Sequence, residues 1–145
     1  MGNATWQPPA SAGPYLPLIY SAEQHYGMPH NLLARLLYQE SRYREDIISG
    51  RTVSSAGAVG IAQLIPRFFP DIDARDPRQA IPAAARYLAR LCRQFGSWAL
   101  ALAAYNWGPG NLSTRGVGNA PGETVAYLRQ ISADVPGVTL PESLA

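Results

Sequence analysis

The segment Trp98-Ala99-Leu100-Ala101-Leu102-Ala103-Ala104-Tyr105, followed at once by Asn106-Trp107-Gly108-Pro109-Gly110, decides how this chain folds. Its first eight residues would be apolar on every side of a helix, and such a helix must be wrapped by others. Ser97 is a natural N-cap, and Gly96 ends the element before it. Asn106, Gly108, Pro109 and Gly110 break the helix at its far end. A chain of 145 residues arranged around a buried helix predicts one domain, large enough to form a core without staples.

Working outward, Ile81, Ala84, Ala85, Leu88, Leu91, Cys92 and Phe95 keep helical spacing up to Gly96. Further upstream, Tyr15 to Tyr26 reads as a first helix stopped by Gly27. Pro29 opens a second, with Leu32, Leu33, Leu36 and Leu37 on one face. The Gly-, Ser- and Val-rich stretch from Ser49 to Gly60 suggests turns and a small hairpin. Downstream, Pro121 starts a last helix with Glu123 in its first turn. The expected fold is mainly α: five to seven helices with at most a minor β-hairpin. Residues 1–13, rich in Pro, Ala, Ser and Gly, read as a loose lead-in, 14–133 as the domain, and 134–145 as a tail.

Composition narrows the function classes. The formal charge is only +2, with no basic run, which argues against nucleic acid as a partner. A single cysteine, Cys92, excludes an intrachain disulfide. No stretch approaches the length of a membrane span, so no stable membrane insertion is expected. Met1 to Ala10 lack the charged start and apolar core of a secretory signal. That predicts synthesis in the cytoplasm. His25 and His30 stand alone across a helix break, so no metal site is expected. Neither a nucleophile elbow nor a phosphate-binding loop is present, and no cofactor is implied.

Glu40 is the position that carries chemistry. Leu32, Leu36 and Glu40 follow at steps of four, so a carboxylate ends an otherwise apolar stripe in the last turn of the second helix. Burial disfavours the charged form, and the negative end of the helix repels it. A carboxylic acid kept protonated near neutral pH is what glycosidic cleavage requires of its proton donor. A solvent-facing glutamate paired with Arg42 or Arg44 is the plain alternative.

Three blocks extend this reading. Glu40-Ser41, followed by Ser55-Ala56-Gly57-Ala58-Val59-Gly60-Ile61-Ala62-Gln63-Leu64-Ile65-Pro66, resembles the signature of the lytic transglycosylases. Ala104-Tyr105-Asn106-Trp107-Gly108-Pro109-Gly110 is similar to that family's Ala-Tyr-Asn-x-Gly-x-Gly block, and Glu123-Thr124 with Tyr127 is similar to its closing helix. The resemblance implies a goose-lysozyme-like domain with a cleft for peptidoglycan glycan strands, and Glu40 as sole acid/base. It implies substrate contacts from Ser55, Gln63, Tyr105, Asn106, Glu123 and Tyr127, with the Tyr105 hydroxyl near Glu40. Gly57 and Gly60 would let the backbone approach a sugar closely. Trp107 either stacks on a sugar or packs.

The sequence departs from the family pattern in places. The Tyr43–Ser54 loop is longer than usual, with Glu45-Asp46 where Pro-Ala is common, so Ser49, Ser54 and Ser55 all remain candidates for a serine partner of Glu40. Ala62 and Ile65 stand where methionines are usual, and Trp107 replaces a small residue.

The resemblance implies that the muramyl 6-hydroxyl attacks its own C1, giving a 1,6-anhydromuramyl product in a monomeric enzyme. A goose-type hydrolase would instead need Glu45 or Asp46 as a second carboxylate. An inactive wall-binding or tail module is the third reading. A wall enzyme without an export signal points to a bacteriophage, delivered by lysis or on a virion; a bacterial fragment lacking its signal would look the same.

Overall fold

A computed structural model describes residues 5–145. Seven α-helices follow in order among them: α1 Leu16–His25, α2 Leu32–Ser41, α3 Glu45–Ile48, α4 Pro77–Phe95, α5 Trp98–Trp107, α6 Pro109–Arg115 and α7 Gly122–Asp134. The only β feature among the described residues is one antiparallel bridge between Val59 and Leu64. The mainly helical, single-domain architecture expected from the sequence is the one observed.

Helix α5 is the axis. Ala99 and Ala101 to Ala104 are buried, and α4, α6 and α7 pack around it. Its first turn is capped by Ser97, whose Oγ accepts the Leu100 N–H at 3.1 Å. Helix α4 begins at Pro77, ahead of its first buried residue Ala80, because Asp76 caps it and Pro77 occupies its first turn. Gly96 ends it with φ +91°.

Helix α2 lies against α1 and α7 and is held at both ends by groups that are not its own regular caps. It starts later than Pro29 suggested, since Pro29 to Asn31 form a turn and Asn31 is left-handed (φ 70°). The buried Glu23 of α1 closes that end, accepting the backbone N–H groups of Asn31 (2.9 Å), Leu33 (2.9 Å) and Ala34 (3.1 Å). Those are the donors a helix start leaves orphaned.

At the other end, immediately after Glu40-Ser41, Arg42 and Tyr43 are both left-handed (φ 55° and 54°). This conformation is strained for side chains with a Cβ. The surroundings over-determine it. Ser41 Oγ donates to the Leu37 carbonyl (3.0 Å) and accepts the Tyr43 N–H (3.3 Å). The Tyr43 hydroxyl donates to the Ala34 carbonyl at 2.8 Å, its ring stacks on Tyr15, and the Arg42 guanidinium sits 4.5 Å over Tyr38.

Several local expectations are corrected. From Trp6 onward the lead-in is docked: Trp6 packs on Tyr38, its carbonyl accepts from the Asn31 amide (3.2 Å), and Ala12 is buried. The part of it covering residues 1–4 lies outside the described residues. The tail is anchored too, through buried Val135, Val138 and Leu144. Glu45 and Asp46 start the short helix α3 in place of a loop. Pro109 and Gly110 do not end helical structure but begin α6, proline being well suited to a first turn. Gly60 (φ +84°) is not free for a sugar, since a Cβ there would run into the Ala74 carbonyl oxygen.

Candidate active site

Glu40, in the last turn of α2, faces α7 across a cleft of about 340 Å³. Gln39 and Glu40 from α2, Asn106 from α5, and Glu123, Ala126, Tyr127 and Gln130 from α7 line it. Helical spacing explains the α7 contribution: 123, 127 and 130 fall on one face, which packs toward α2.

The Tyr127 hydroxyl donates to Glu40 Oε2 at 2.6 Å, a short bond of the kind made to a carboxylate. Tyr127 is buried, so this donor is fixed. Burial raises the Glu40 carboxyl to about 7; the Tyr127 bond works against the rise and the nearby Glu123 charge adds to it. Burial wins because water is excluded around most of the carboxyl and the single Tyr127 hydrogen bond replaces only part of that hydration, while the exposed Glu123, its charge screened, adds the smallest share. With Oε2 occupied by Tyr127, Oε1, which makes no hydrogen bond among the described residues, is the oxygen left to carry a proton.

Asn106 is locked by buried Thr124, whose hydroxyl donates to Asn106 Oδ1 at 2.7 Å. The Asn106 amide nitrogen is thereby left as a donor toward the cleft. Tyr105 is next to it, but its hydroxyl donates to the Ala62 carbonyl at 2.7 Å. Burial lifts its pKa well above the usual range, and the Glu40 charge adds to that, so the two groups are electrostatic neighbours. The hydroxyl bonded to Glu40 is that of Tyr127, not Tyr105. Tyr105 ties the 59–65 turn to α5.

Gln63 lies in that turn with φ 52°, and its amide donates to the Gly60 carbonyl at 2.9 Å. Its side-chain oxygen makes no hydrogen bond among the described residues and remains open to a ligand. Neither Gln63, Tyr105 nor Ser55 lines the cleft immediately around Glu40. Ser55 sits in an exposed turn. Of the other candidate serine partners, Ser54 Oγ accepts the Ala58 N–H (2.9 Å) and Ser49 Oγ caps its own loop, so no serine is bonded to Glu40.

The proposed second carboxylates are elsewhere. Glu45 pairs with Arg51 (3.3 Å), and Asp46 is held by Arg44 (2.9 Å) and Thr52 (2.7 Å); the Thr52 bond, first, and Arg44 keep the half-buried Asp46 carboxyl below the ordinary range. The carboxylate that does share the cleft is Glu123. Trp107 is half-buried against the core and does not line the cleft. Gln39 and Gln130 are cleft residues that sequence reasoning missed, because polar residues at helical spacing look like a solvated face.

No group of three or more His, Cys, Asp or Glu side chains among the described residues is placed to hold a metal ion. No helix there is long and apolar enough to cross a membrane.

Comparison with known proteins bears on this geometry. The family model described as the transglycosylase SLT domain matches residues 17–123, which includes Glu40, Gln63, Tyr105, Asn106 and Glu123. The match stops four residues before Tyr127. The chain is also similar to the membrane-bound lytic murein transglycosylase F of Nitrosospira multiformis, 34% identical over 101 residues. That alignment covers 64% of this chain but only 20% of the longer protein.

Proposed function

The chain belongs to the transglycosylase SLT domain family, and from that premise we propose that it is a peptidoglycan lytic transglycosylase with Glu40 as its single acid/base. The observation that carries the reading is a carboxyl held at about 7 at the floor of a cleft, with one oxygen engaged by Tyr127 and the other free. A group so tuned donates a proton and takes one back at neutral pH.

In the first step the Glu40 proton passes to the glycosidic oxygen between N-acetylmuramic acid and N-acetylglucosamine as that bond breaks. The resulting carboxylate is stabilised by the Tyr127 hydroxyl. It then accepts the proton of the muramyl 6-hydroxyl, whose oxygen bonds to C1 of the same sugar. The 1,6-anhydro product forms without water, and Glu40 returns to its starting state. The amide of Asn106 is placed to hold substrate, and Gln63, on the turn beyond Tyr105, to hold a more distant sugar. A monomeric enzyme is part of the same proposal. Delivery by a bacteriophage, at lysis or on a virion, rests on the sequence reading alone.

The second reading is a muramidase that activates water. Glu123 favours it, being the carboxylate that shares the cleft with Glu40. Mass spectrometry of the soluble products from purified peptidoglycan separates the two. Fragments one water lighter than lysozyme products, absent with Glu40→Gln, are expected. Reducing-end products would make Glu123 the base of a hydrolase, and no products at all would leave a wall-binding module.

A further inference from the structure

Arg35 is charged yet buried, at 4% exposure, on the α2 face that meets α7. Its guanidinium lies 5.8 Å from the Trp6 ring centre and 5.2 Å from that of Tyr38, and Nε donates to Asp134 at 2.8 Å. A guanidinium has donors only. Its Nη1 lies 2.9 Å from Gln39 Oε1, so the orientation of the Gln39 amide is forced: oxygen toward Arg35, nitrogen away. Gln39 Nε2 then lies 2.9 Å from Gln130, and because that nitrogen can only donate, the atom it meets must be Gln130 Oε1. The orientation propagates along the chain of amides. The atom of Gln130 left over is Nε2, which makes no hydrogen bond among the described residues.

We propose that Gln130 is a substrate-binding residue whose amide is held as a hydrogen-bond donor toward the cleft by Arg35 and Gln39, and that it recognises an acyl oxygen of the glycan beside the scissile bond. The inference rests on the glycan-cleaving reading above. Gln130 and Gln39 both line the Glu40 cleft, Gln130 on its exposed side, so its unused donor belongs to a residue that a bound glycan would meet. The neighbouring Asn106 amide is oriented in the same sense by Thr124. The cleft thus sets two amide donors against two carboxyl groups, Glu40 and Glu123. Sugar hydroxyls could use either kind of partner, whereas an acyl oxygen accepts only and is selected by donors. Peptidoglycan offers such oxygens in its acetamido groups and in the lactyl-peptide carbonyls of muramic acid. Arg35 and Gln39 touch no substrate in this scheme and are positioning residues.

Two substitutions reverse the polarity by different routes. Gln130→Glu keeps an oxygen for Gln39 and puts a second oxygen where the donor was. Gln39→Glu still accepts from Arg35 but has no N–H for Gln130, so the Gln130 amide turns over and presents its oxygen to the cleft. Each should raise KM for glycan cleavage about 10-fold or more, the scale of leaving an acceptor unpaired, with kcat changed far less. In the Gln130→Ala background, Gln39→Glu should change KM little, because its effect passes through Gln130.

Repeating the measurement on glycan strands whose acetamido groups have been N-deacetylated identifies the oxygen, because stripping the stem peptides would leave a lactyl carboxylate that still accepts. A penalty that vanishes assigns an acetamido group, and one that persists assigns the lactyl-peptide carbonyl. Cleavage with unchanged KM in Gln130→Glu, or a Gln39→Glu effect just as large in Gln130→Ala, would overturn the donor role while leaving the enzymatic reading intact. Absence of glycan cleavage by every form, the unsubstituted protein included, would overturn both.

Discussion

Replacing Glu40 by glutamine should stabilise the folded protein, and increasingly so as the pH rises. The folded carboxyl titrates at about 7, against about 4.3 for an unfolded glutamate. Because the folded value is the higher one, the folded state binds the proton more tightly. Its stability is fully present below about pH 4 and is lost as the pH rises through 7. At about 1.4 kcal/mol per pH unit, ionisation at this site costs ~3.5 kcal/mol of folding stability above pH 8 and ~1 kcal/mol at pH 5. Glutamine never ionises, and its side-chain oxygen can still accept from Tyr127, so the substitution removes the electrostatic penalty without emptying the site. The stability difference between variant and parent should therefore grow by ~2.5 kcal/mol between pH 5 and pH 8. Urea unfolding followed by tryptophan fluorescence at a series of pH values measures this directly, since any fixed difference between carboxyl and carboxamide cancels in the pH trend. A stability difference that stays flat from pH 5 to pH 8, within ~0.5 kcal/mol, would refute the claim that burial holds Glu40 protonated near neutrality.

Other outcomes follow from the same structure. Glycan cleavage should fall on the alkaline side with a midpoint near 7, and Tyr127→Phe should move that limb upward, because the lost bond is the one that lowers the Glu40 pKa; a pH–rate profile checks both. Glu23→Ala should remove the side-chain acceptor for three backbone donors at the start of α2 and lower stability by ~2–4 kcal/mol, read from urea midpoints. Gly60→Ala should destabilise far more than Gly57→Ala, although both glycines have positive φ, because only the first collides with the Ala74 backbone; paired thermal melts test the ranking. Tyr105→Phe should cost ~1 kcal/mol through the lost bond to the Ala62 carbonyl and raise KM by loosening the turn that carries Gln63.

The parts of this molecule that were legible in its sequence are those written in local periodicity. The buried α5, the stops at Gly27 and Gly96, and the placing of Glu40 at the end of an apolar stripe follow from spacing and caps alone. What escaped was written between segments. Glu23 reads as one more polar residue on α1; that it caps α2 depends on how two helices meet. Arg35, Gln39 and Gln130 look like solvated positions because a hydrogen-bond chain between α2 and α7 leaves no periodic trace in either helix. Helix α6 was hidden for a different reason, since Gly108-Pro109-Gly110 serves equally well as a stop and as a start. The docked lead-in shows how composition misleads: its prolines and small residues suggest looseness, while Trp6 packs on Tyr38, its carbonyl accepts from Asn31 and Ala12 is buried in the core.

The left-handed pair Arg42-Tyr43 has a bearing on how this scaffold could be altered. Tied down by Ser41, Ala34, Tyr15 and Tyr38, it acts as a mechanical insulator between the helix that carries the acid and the segment that follows. Length changes from Arg44 to Ala58 would then fall on the far side of that knot. The segment that follows α2 could therefore be lengthened, shortened or recomposed while the Glu40 carboxyl stays in register with α7. Diversity in that segment and constancy in the placing of one carboxyl become independent properties of one polypeptide, separable by two residues.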